Sequence, residues 1–165
     1  MFETIGGLPA HPLMVHIPVV LLPLATIGII AMTIRPRLIP HFGWLTVVLG
    51  GIGFVGTVLA AGTGEELEDS YRAAGYQISD TLKDHGELGE TVRLLAALFF
   101  VVLLAWMLFT RWRNKAGEEA ATAKVRKPKQ IALVLAIAAI LTGAVATVTM
   151  TLTAHNGAKS VWEQD

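Results

Sequence analysis

The 165-residue chain contains no cysteine and few charged residues. The first shortage excludes several kinds of site, and the second indicates the class of protein. Without cysteine it cannot form disulfides, a thiolate-ligated haem or a protein-held iron-sulfur cluster. Charged residues make up 16% of the chain and hydrophobic residues 53%, whereas an ordinary soluble domain has about 25% charged residues. The formal net charge is zero, so we expect no nucleic-acid partner. The composition indicates a chain that lies mostly in lipid.

Four long apolar runs, residues 13–34, 42–62, 94–110 and 131–154, contain no charged residue. At about 1.5 Å rise per residue, each can cross or nearly cross a hydrocarbon core of about 30 Å. We predict an all-α integral membrane protein, an antiparallel four-helix bundle that forms one domain over residues 1–165. The predicted spans are 12–34, 42–62, 90–112 and 131–155, with a loop at 113–130. The chain starts without the basic segment of a removable signal, so the first helix should remain as an anchor.

The basic residues predict the orientation of this bundle. Nine of the 13 Lys and Arg residues lie in the first and third connections, which the positive-inside bias assigns to the cytoplasm. These nine are Arg35, Arg37, Arg111, Arg113, Lys115, Lys124, Arg126, Lys127 and Lys129. Eleven of the 13 acidic residues fall on the other side. We therefore predict a multi-pass protein of a bacterial cytoplasmic membrane, with both termini on the outer face.

Four of the five histidines, His11, His16, His85 and His155, are far apart in sequence, but this topology places them all at the outer face. Neutral imidazole ligates iron, copper or zinc, and a four-helix bundle can hold a haem between facing helices. We predict a haem b with His16 and His85 as axial ligands, His155 as a competing ligand and His11 as an alternate or an orienting neighbour. The remaining histidine, His41, lies on the cytoplasmic side and argues against a second haem.

Charged residues near the predicted cluster would support such a site. Basic side chains could pair with haem propionates, and carboxylates could orient the imidazoles or complete a harder metal site. The basic candidates are Arg93, Arg72 and Lys159, and the acidic candidates are Glu66, Asp69, Asp84 and Glu87. The outer-face position thus favours an electron-transfer protein, with a redox partner or the subunits of a membrane complex as its expected contacts.

Two other functions remain open at this point. The imidazoles could bind zinc or copper, or titrate, in a non-redox membrane subunit that responds to metal or pH. The chain could also be an accessory or assembly subunit whose histidines only form hydrogen bonds. No Ser or Thr lies with His and an acid in a recognisable nucleophile motif, so a stand-alone enzyme is the less favoured interpretation.

A stripe of small residues runs along the second predicted helix, and it allows a neighbouring helix or a flat cofactor to approach the backbone closely. It comprises Gly50, Gly53, Gly56, Ala60 and Gly64. We favour helix packing. The same segment matches the dinucleotide fingerprint by letters alone, but that motif needs a turn between a strand and a helix.

Local patterns predict the ends and faces of the other helices. On the fourth helix, small and hydroxylated residues share one face, which should point into the bundle: Ala144, Thr147, Thr151 and His155. That helix should end at a cap formed by residues 156–157. Asp84 and Glu87 have capping-box spacing at the start of the third helix, where His85 shares a face with Leu88, Val92, Ala96 and Phe99. In the first helix, His11 should be the cap before Pro12, and Pro18 and Pro23 should interrupt the hydrogen-bond ladder.

The first histidine motif carries a resemblance to a known family. The segment His11-Pro12-Leu13-Met14-Val15-His16-Ile17-Pro18, followed by His85 and by His155-Asn156-Gly157 through Val161-Trp162, resembles the bacterial membrane-protein family filed as domain of unknown function 2231. The resemblance covers nearly the whole chain and implies four membrane helices. Some members are joined to Rieske-type iron-sulfur domains, which implies electron-transfer partners, although this chain has no cysteine to build such a domain.

Overall fold

The computed structural model describes residues 4–162, with the side chains of all of them except residues 118 and 160–162. It is 88% helical. A short antiparallel hairpin of Thr4–Ile5 and Leu8–Pro9 precedes the helices. The helices are α1 (Ala10–Met14), α2 (His16–Ile34), α3 (Ile39–Ala73), α4 (Asp80–Ala116), α5 (Glu118–Lys124) and α6 (Pro128–Trp162). A single 3-10 turn, Pro36–Leu38, joins α2 to α3.

Four helical segments are long and apolar enough to cross a membrane: Ala10–Ile34, Pro36–Ala73, Asp80–Ala116 and Pro128–Lys159. The prediction of four membrane helices is confirmed. The helices are longer than the predicted spans, because α3 and α4 continue into the charged segment between residues 65 and 90. That segment is therefore mainly helical, and the connection between α3 and α4 shortens to residues 74–79.

Two predicted helix caps are wrong. The third membrane helix starts before the Asp84 and Glu87 pair, since the Ser79 side chain accepts a hydrogen bond from the Leu82 backbone N–H at 3.2 Å and caps α4 there. The fourth helix does not end at residues 156–157 but continues to Trp162. Gly157 lies inside α6, where its missing side chain makes room for the ring of His85.

The first membrane segment is interrupted near its start. α1 begins at Ala10, so His11 lies in the first turn rather than at the cap. The break between α1 and α2 falls at Val15, three residues before Pro18, which has no N–H to offer the carbonyl of Met14. α2 continues through Pro23 without a second break.

The bundle core is built where α2, α3, α4 and α6 meet around Phe99, which is fully buried. A Cβ on Gly143 would lie 2.9 Å from the Phe99 ring, so this glycine lets α6 approach α4 closely. Contacts between α3 and α4 run in opposite order along the two helices, so these helices are antiparallel. For example, Gly43 faces Met107 and Gly50 faces Leu103.

The small-residue stripe on α3 serves helix packing, as favoured from the sequence. Gly50, Gly53, Gly56 and Ala60 are buried. A Cβ on Gly53 or Gly56 would lie within 3.0 Å of atoms of α2. The surface away from these contacts is apolar on every membrane helix, with large exposed side chains such as Val20, Val55, Leu98 and Val134. A continuous apolar surface of this kind suits lipid rather than water.

The predicted inner face of the fourth helix is wrong. Ala144, Thr151 and His155 are exposed, and Thr147 is only half-buried. The buried face of α6 consists of Ala132, Ala136, Ala139, Gly143, Ala146, Met150 and Thr153. Because the threonines of α6 lie on its exposed face as well as on its buried face, polarity does not mark the inner face. The alanines and the glycine instead occupy the face that packs against α4.

The two ends of the bundle differ in their ionisable residues. The histidine end contains α1, the last turns of α3, the first turns of α4 and the last turns of α6. The basic end contains the connection between α2 and α3 and the connection between α4 and α6, which includes α5.

Candidate metal centre

Two histidines meet at the histidine end of the bundle. The ring of His11 on α1 and the ring of His85 on α4 have their centroids 5.8 Å apart, with an angle of 88° between the ring planes. Both side chains are half-buried. The pair lies at a junction of four helices, because each imidazole also bonds to a further helix.

Each imidazole is held by one ring nitrogen. The Nδ1 of His11 lies 2.8 Å from the carbonyl oxygen of Ala60 on α3, and the Nδ1 of His85 lies 2.9 Å from the carbonyl oxygen of Thr153 on α6. A carbonyl oxygen can only accept, so Nδ1 carries the proton and donates it in both rings. In the neutral imidazole, Nε2 then keeps its lone pair. Histidines that ligate metals are commonly oriented in this way by the other ring N–H.

Two glycines make room for the imidazoles. A Cβ on Gly64 would lie 3.0 Å from Cε1 and Nδ1 of His11, and a Cβ on Gly157 would lie 2.8 Å from Cε1 of His85. Gly64 is the last member of the small-residue stripe on α3. Any larger residue at either position would push a ring away from its carbonyl partner.

The other predicted ligands lie elsewhere on the surface. His16 is exposed, and its Nδ1 bonds to the carbonyl oxygen of Pro12 one turn earlier, at 2.6 Å. His155 is exposed on α6, and His41 is exposed at the basic end. The structure thus brings together His11 and His85. Within residues 4–162, His, Asp and Glu side chains form no group of three or more with metal-ligand spacing, so the expected cluster of four histidines is not found there.

Two of the seven charged residues predicted to support the site, Arg93 and Arg72, bond within their own helix. Arg93 forms an ion pair with Glu90 on α4, and Arg72 pairs with Glu68 on α3 at 2.5 Å. Arg93 follows His85 by eight residues, about 12 Å along the helix. The remaining predicted residues are Glu66 and Lys159, which are half-buried, and Asp69, Asp84 and Glu87, which are exposed.

His11 and His85 lie at the edge of the apolar zone of the bundle. On α4, the ion pair of Glu90 and Arg93 precedes the charge-free stretch. His85 lies eight residues before Arg93, which places it about 12 Å further than Arg93 from the centre of the bundle. On α3, Ala60 and Gly64 are the last residues before the charged segment that starts at Glu65. If the apolar stretches cross a bilayer, the imidazoles lie near its headgroups.

The sequence predicts His11 as an alternate ligand or orienting neighbour, and one sequence pattern points to the place where its ring lies. The stripe on α3 ends at Ala60 and Gly64, the two residues that receive the His11 ring. The stripe was assigned to helix packing, and nothing in it indicates that the packed group is an imidazole. In the same way, Gly157 was assigned to a cap, whereas it receives His85.

Comparisons with known proteins bear on the family of the chain. No curated protein and no solved structure matches it. A family model described as predicted membrane protein (DUF2231) matches residues 7–165, which is nearly the whole chain. The match agrees with the resemblance carried by the histidine and proline motif and with the four membrane helices. The chain is a member of the DUF2231 family of predicted membrane proteins.

Proposed function

We propose that this protein binds a haem b through His11 and His85 at the histidine end and that it passes electrons there. The observation that supports this is the pair of anchored imidazoles. Both rings donate Nδ1–H to a backbone carbonyl of another helix, so both hold Nε2 available without a bound proton. Such anchoring fixes two ligands on different helices before a metal arrives.

The number and spacing of the ligands suit haem. The porphyrin supplies four nitrogens, so a six-coordinate haem iron takes two axial ligands from the protein, whereas zinc usually takes four ligands from protein and water. A metal about 2 Å from each Nε2 requires ring centres roughly 6 Å apart, and the rings of His11 and His85 have centroids 5.8 Å apart. Two imidazole donors at this separation match the number of axial ligands of a six-coordinate haem, and this supports the proposal.

The chain's own residues would hold and tune such a haem. His11 and His85 would ligate the iron, while the carbonyls of Ala60 and Thr153 keep the rings in one tautomer and orientation. Haem supplies one-electron chemistry when it is bound. Arg93 could reach a propionate only by leaving or sharing Glu90. The headgroup depth allows a redox partner or another subunit of a membrane complex to approach.

We further propose that the histidine end faces outward from a bacterial cytoplasmic membrane. The nine basic residues in the two connections at the opposite end support this orientation through the positive-inside bias. Both termini would then lie outside, and electrons would be exchanged with outer-face carriers.

An absorption spectrum of the detergent-purified protein, oxidised and then reduced with dithionite, tests this function when combined with metal analysis. Expression with ample haem should give a Soret band. His11→Ala and His85→Ala should each abolish or strongly reduce the haem content. The exposed histidines provide matched controls, so His16→Ala, His155→Ala and His41→Ala should each retain the band.

Loss of the band in His16→Ala with retention in His11→Ala would contradict the assigned ligand pair. A wild-type protein without a Soret band, expressed with ample haem, would exclude the haem function. Copper or zinc that is lost in both His11→Ala and His85→Ala would then support the second candidate, a metal-responsive membrane subunit. The same paired imidazoles favour that candidate over a purely structural subunit.

A further inference from the structure

The basic end contains two adjacent cavities beside the start of α6. One has a volume of about 360 Å³ and is lined by Arg113, Asn114, Gly117, Pro128 and Lys129. The other, about 540 Å³, shares Pro128 and Lys129 with the first and adds Lys124, Arg126 and Lys127 to its lining. The described lining residues include five cationic side chains, of which Lys129 already has a bonding partner. This concentration of one charge around two cavities indicates an anionic ligand.

The cavities lie next to the apolar zone of the bundle. On α4, Arg113 follows the end of the charge-free stretch at Thr110 by three residues, about 4.5 Å. On α6, Lys129 precedes the start of the apolar stretch at Ile131 by two residues. If the two apolar stretches cross a bilayer, Arg113 and Lys129 lie at the depth of its phosphates.

Exposed apolar side chains lie on the membrane side of the cavities. Leu108 on α4 and Leu133 and Val134 on α6 are at least half exposed. Trp112 packs against Phe109 on α4, with ring centroids 5.4 Å apart, at the interfacial depth that aromatic residues favour. A ligand with a negative headgroup and acyl chains would satisfy both surfaces at once, whereas a free anion would use only the first.

We propose that the groove formed by these two cavities binds the phosphate headgroup of an anionic phospholipid. Arg113 and Lys129, which line the first cavity, would contact the phosphate, and Lys129 would do so in addition to the partner that it already has. The guanidinium of Arg113 is already oriented by Asn114, whose Oδ1 accepts from Nε at 3.4 Å and from Nη2 at 3.2 Å. The first turn of α6 adds the positive end of a long helix dipole. This site is at the opposite end from the histidine pair and is independent of the proposed function.

Native mass spectrometry of the whole protein in detergent tests the proposal. The protein is titrated with phosphatidylglycerol and, separately, with phosphatidylcholine, and bound lipids are counted. We expect retention of phosphatidylglycerol over phosphatidylcholine. The double variant Arg113→Gln with Lys129→Gln should weaken phosphatidylglycerol binding by about tenfold or more, given the attraction of each basic side chain near anionic headgroups.

A matched control removes the same charge from the same end. Arg35→Gln with Arg37→Gln neutralises two exposed basic residues that do not line either cavity, and it should change lipid binding less than twofold, roughly the effect of a lost long-range attraction. Arg113→Lys with Lys129→Arg keeps both charges and should retain binding, which separates lost charge from misfolding.

Three results would overturn the proposal. Equal binding of the two lipids would mean that the groove does not select the headgroup. Equal loss in both neutralised double variants would mean that net charge alone attracts lipid. Displacement of phosphatidylglycerol by millimolar inorganic phosphate would assign the groove to a free anion instead.

Discussion

The two ends of the bundle hold their ionisable side chains in different ways. At the histidine end, His11 and His85 bond to carbonyls 49 and 68 residues away in sequence, on other helices. At the basic end, Arg113 bonds to the next residue in the chain, and most basic side chains stay exposed. Contacts between helices fix the direction of the Nε2 lone pair of each imidazole, and a metal ligand needs that fixed direction. A dense but locally held charge attracts an anion without such fixed geometry.

Labelling of introduced cysteines in intact cells should give the largest difference between the two ends. The natural chain has no cysteine, so Ala120→Cys at the basic end and Ala74→Cys at the histidine end each carry one thiol. Both alanines are exposed. With the proposed orientation, an impermeant maleimide should label Ala74→Cys and leave Ala120→Cys unlabelled until the cells are lysed. External labelling at Ala120→Cys would reverse the assignment of the ends.

A glycine substitution should affect the histidine pair strongly while leaving the helix intact. Gly157→Ala places a Cβ 2.8 Å from Cε1 of His85 and should displace the ring from the Thr153 carbonyl. Because such orienting contacts are typically worth about 10- to 100-fold in metal affinity, retention of haem or metal should fall by about tenfold or more. Bound haem or metal per protein, measured after dialysis, provides the comparison with the wild type.

Gly89→Ala is the matched control for that substitution. Gly89 lies in α4 one turn beyond His85, and an added Cβ there would meet no atom within 4 Å. Cofactor retention should be unchanged, and the helix should gain roughly 0.5–1 kcal/mol because alanine has the higher helix propensity. Equal retention in both variants would show that the tight contact at Gly157 does not position His85.

A pair of threonine substitutions on α6 compares its buried and exposed faces near the histidine end. Thr153 is 5% exposed and Thr151 is exposed. Thr153→Leu should destabilise the protein by about 1–3 kcal/mol because it overpacks a filled junction, whereas Thr151→Leu should be tolerated on a lipid-facing surface. Unfolding in mixed detergent micelles measures both. Comparable losses would indicate that Thr151 is covered in the membrane by something outside this chain.

The smallest effect is expected at the ion pair of Arg93 and Glu90, on the histidine-end side of the charge-free stretch of α4. Arg93→Gln removes a pair whose side chains are 37% and 43% exposed, and such pairs contribute about 0–1 kcal/mol. Thermal unfolding should therefore change little. The reduction potential of any bound haem should also stay constant if Arg93 remains with Glu90. A clear shift in that potential would instead assign Arg93 to a propionate.

The faces of the helices could be predicted only where polarity or size marked them. The predicted face of α4, with His85, Leu88, Val92, Ala96 and Phe99, points into the bundle: Val92, Ala96 and Phe99 are buried, and His85 and Leu88 are half-buried. On α6 polarity does not mark the inner face: its threonines form a polar stripe, but alanine and glycine decide which face can approach α4 closely. The prediction therefore selected the wrong face and oriented His155 inward.

The sequence by itself determined the number of membrane helices, the division of charge between the two ends and the presence of histidines at one of them. These follow from local properties, namely the length of apolar runs and the positions of charged residues. Only the tertiary structure decided which histidines meet. That choice depends on Gly64 and Gly157 leaving room for two rings, and on the carbonyls of Ala60 and Thr153 accepting their protons. Such contacts join helices far apart in sequence, and no local pattern encodes them.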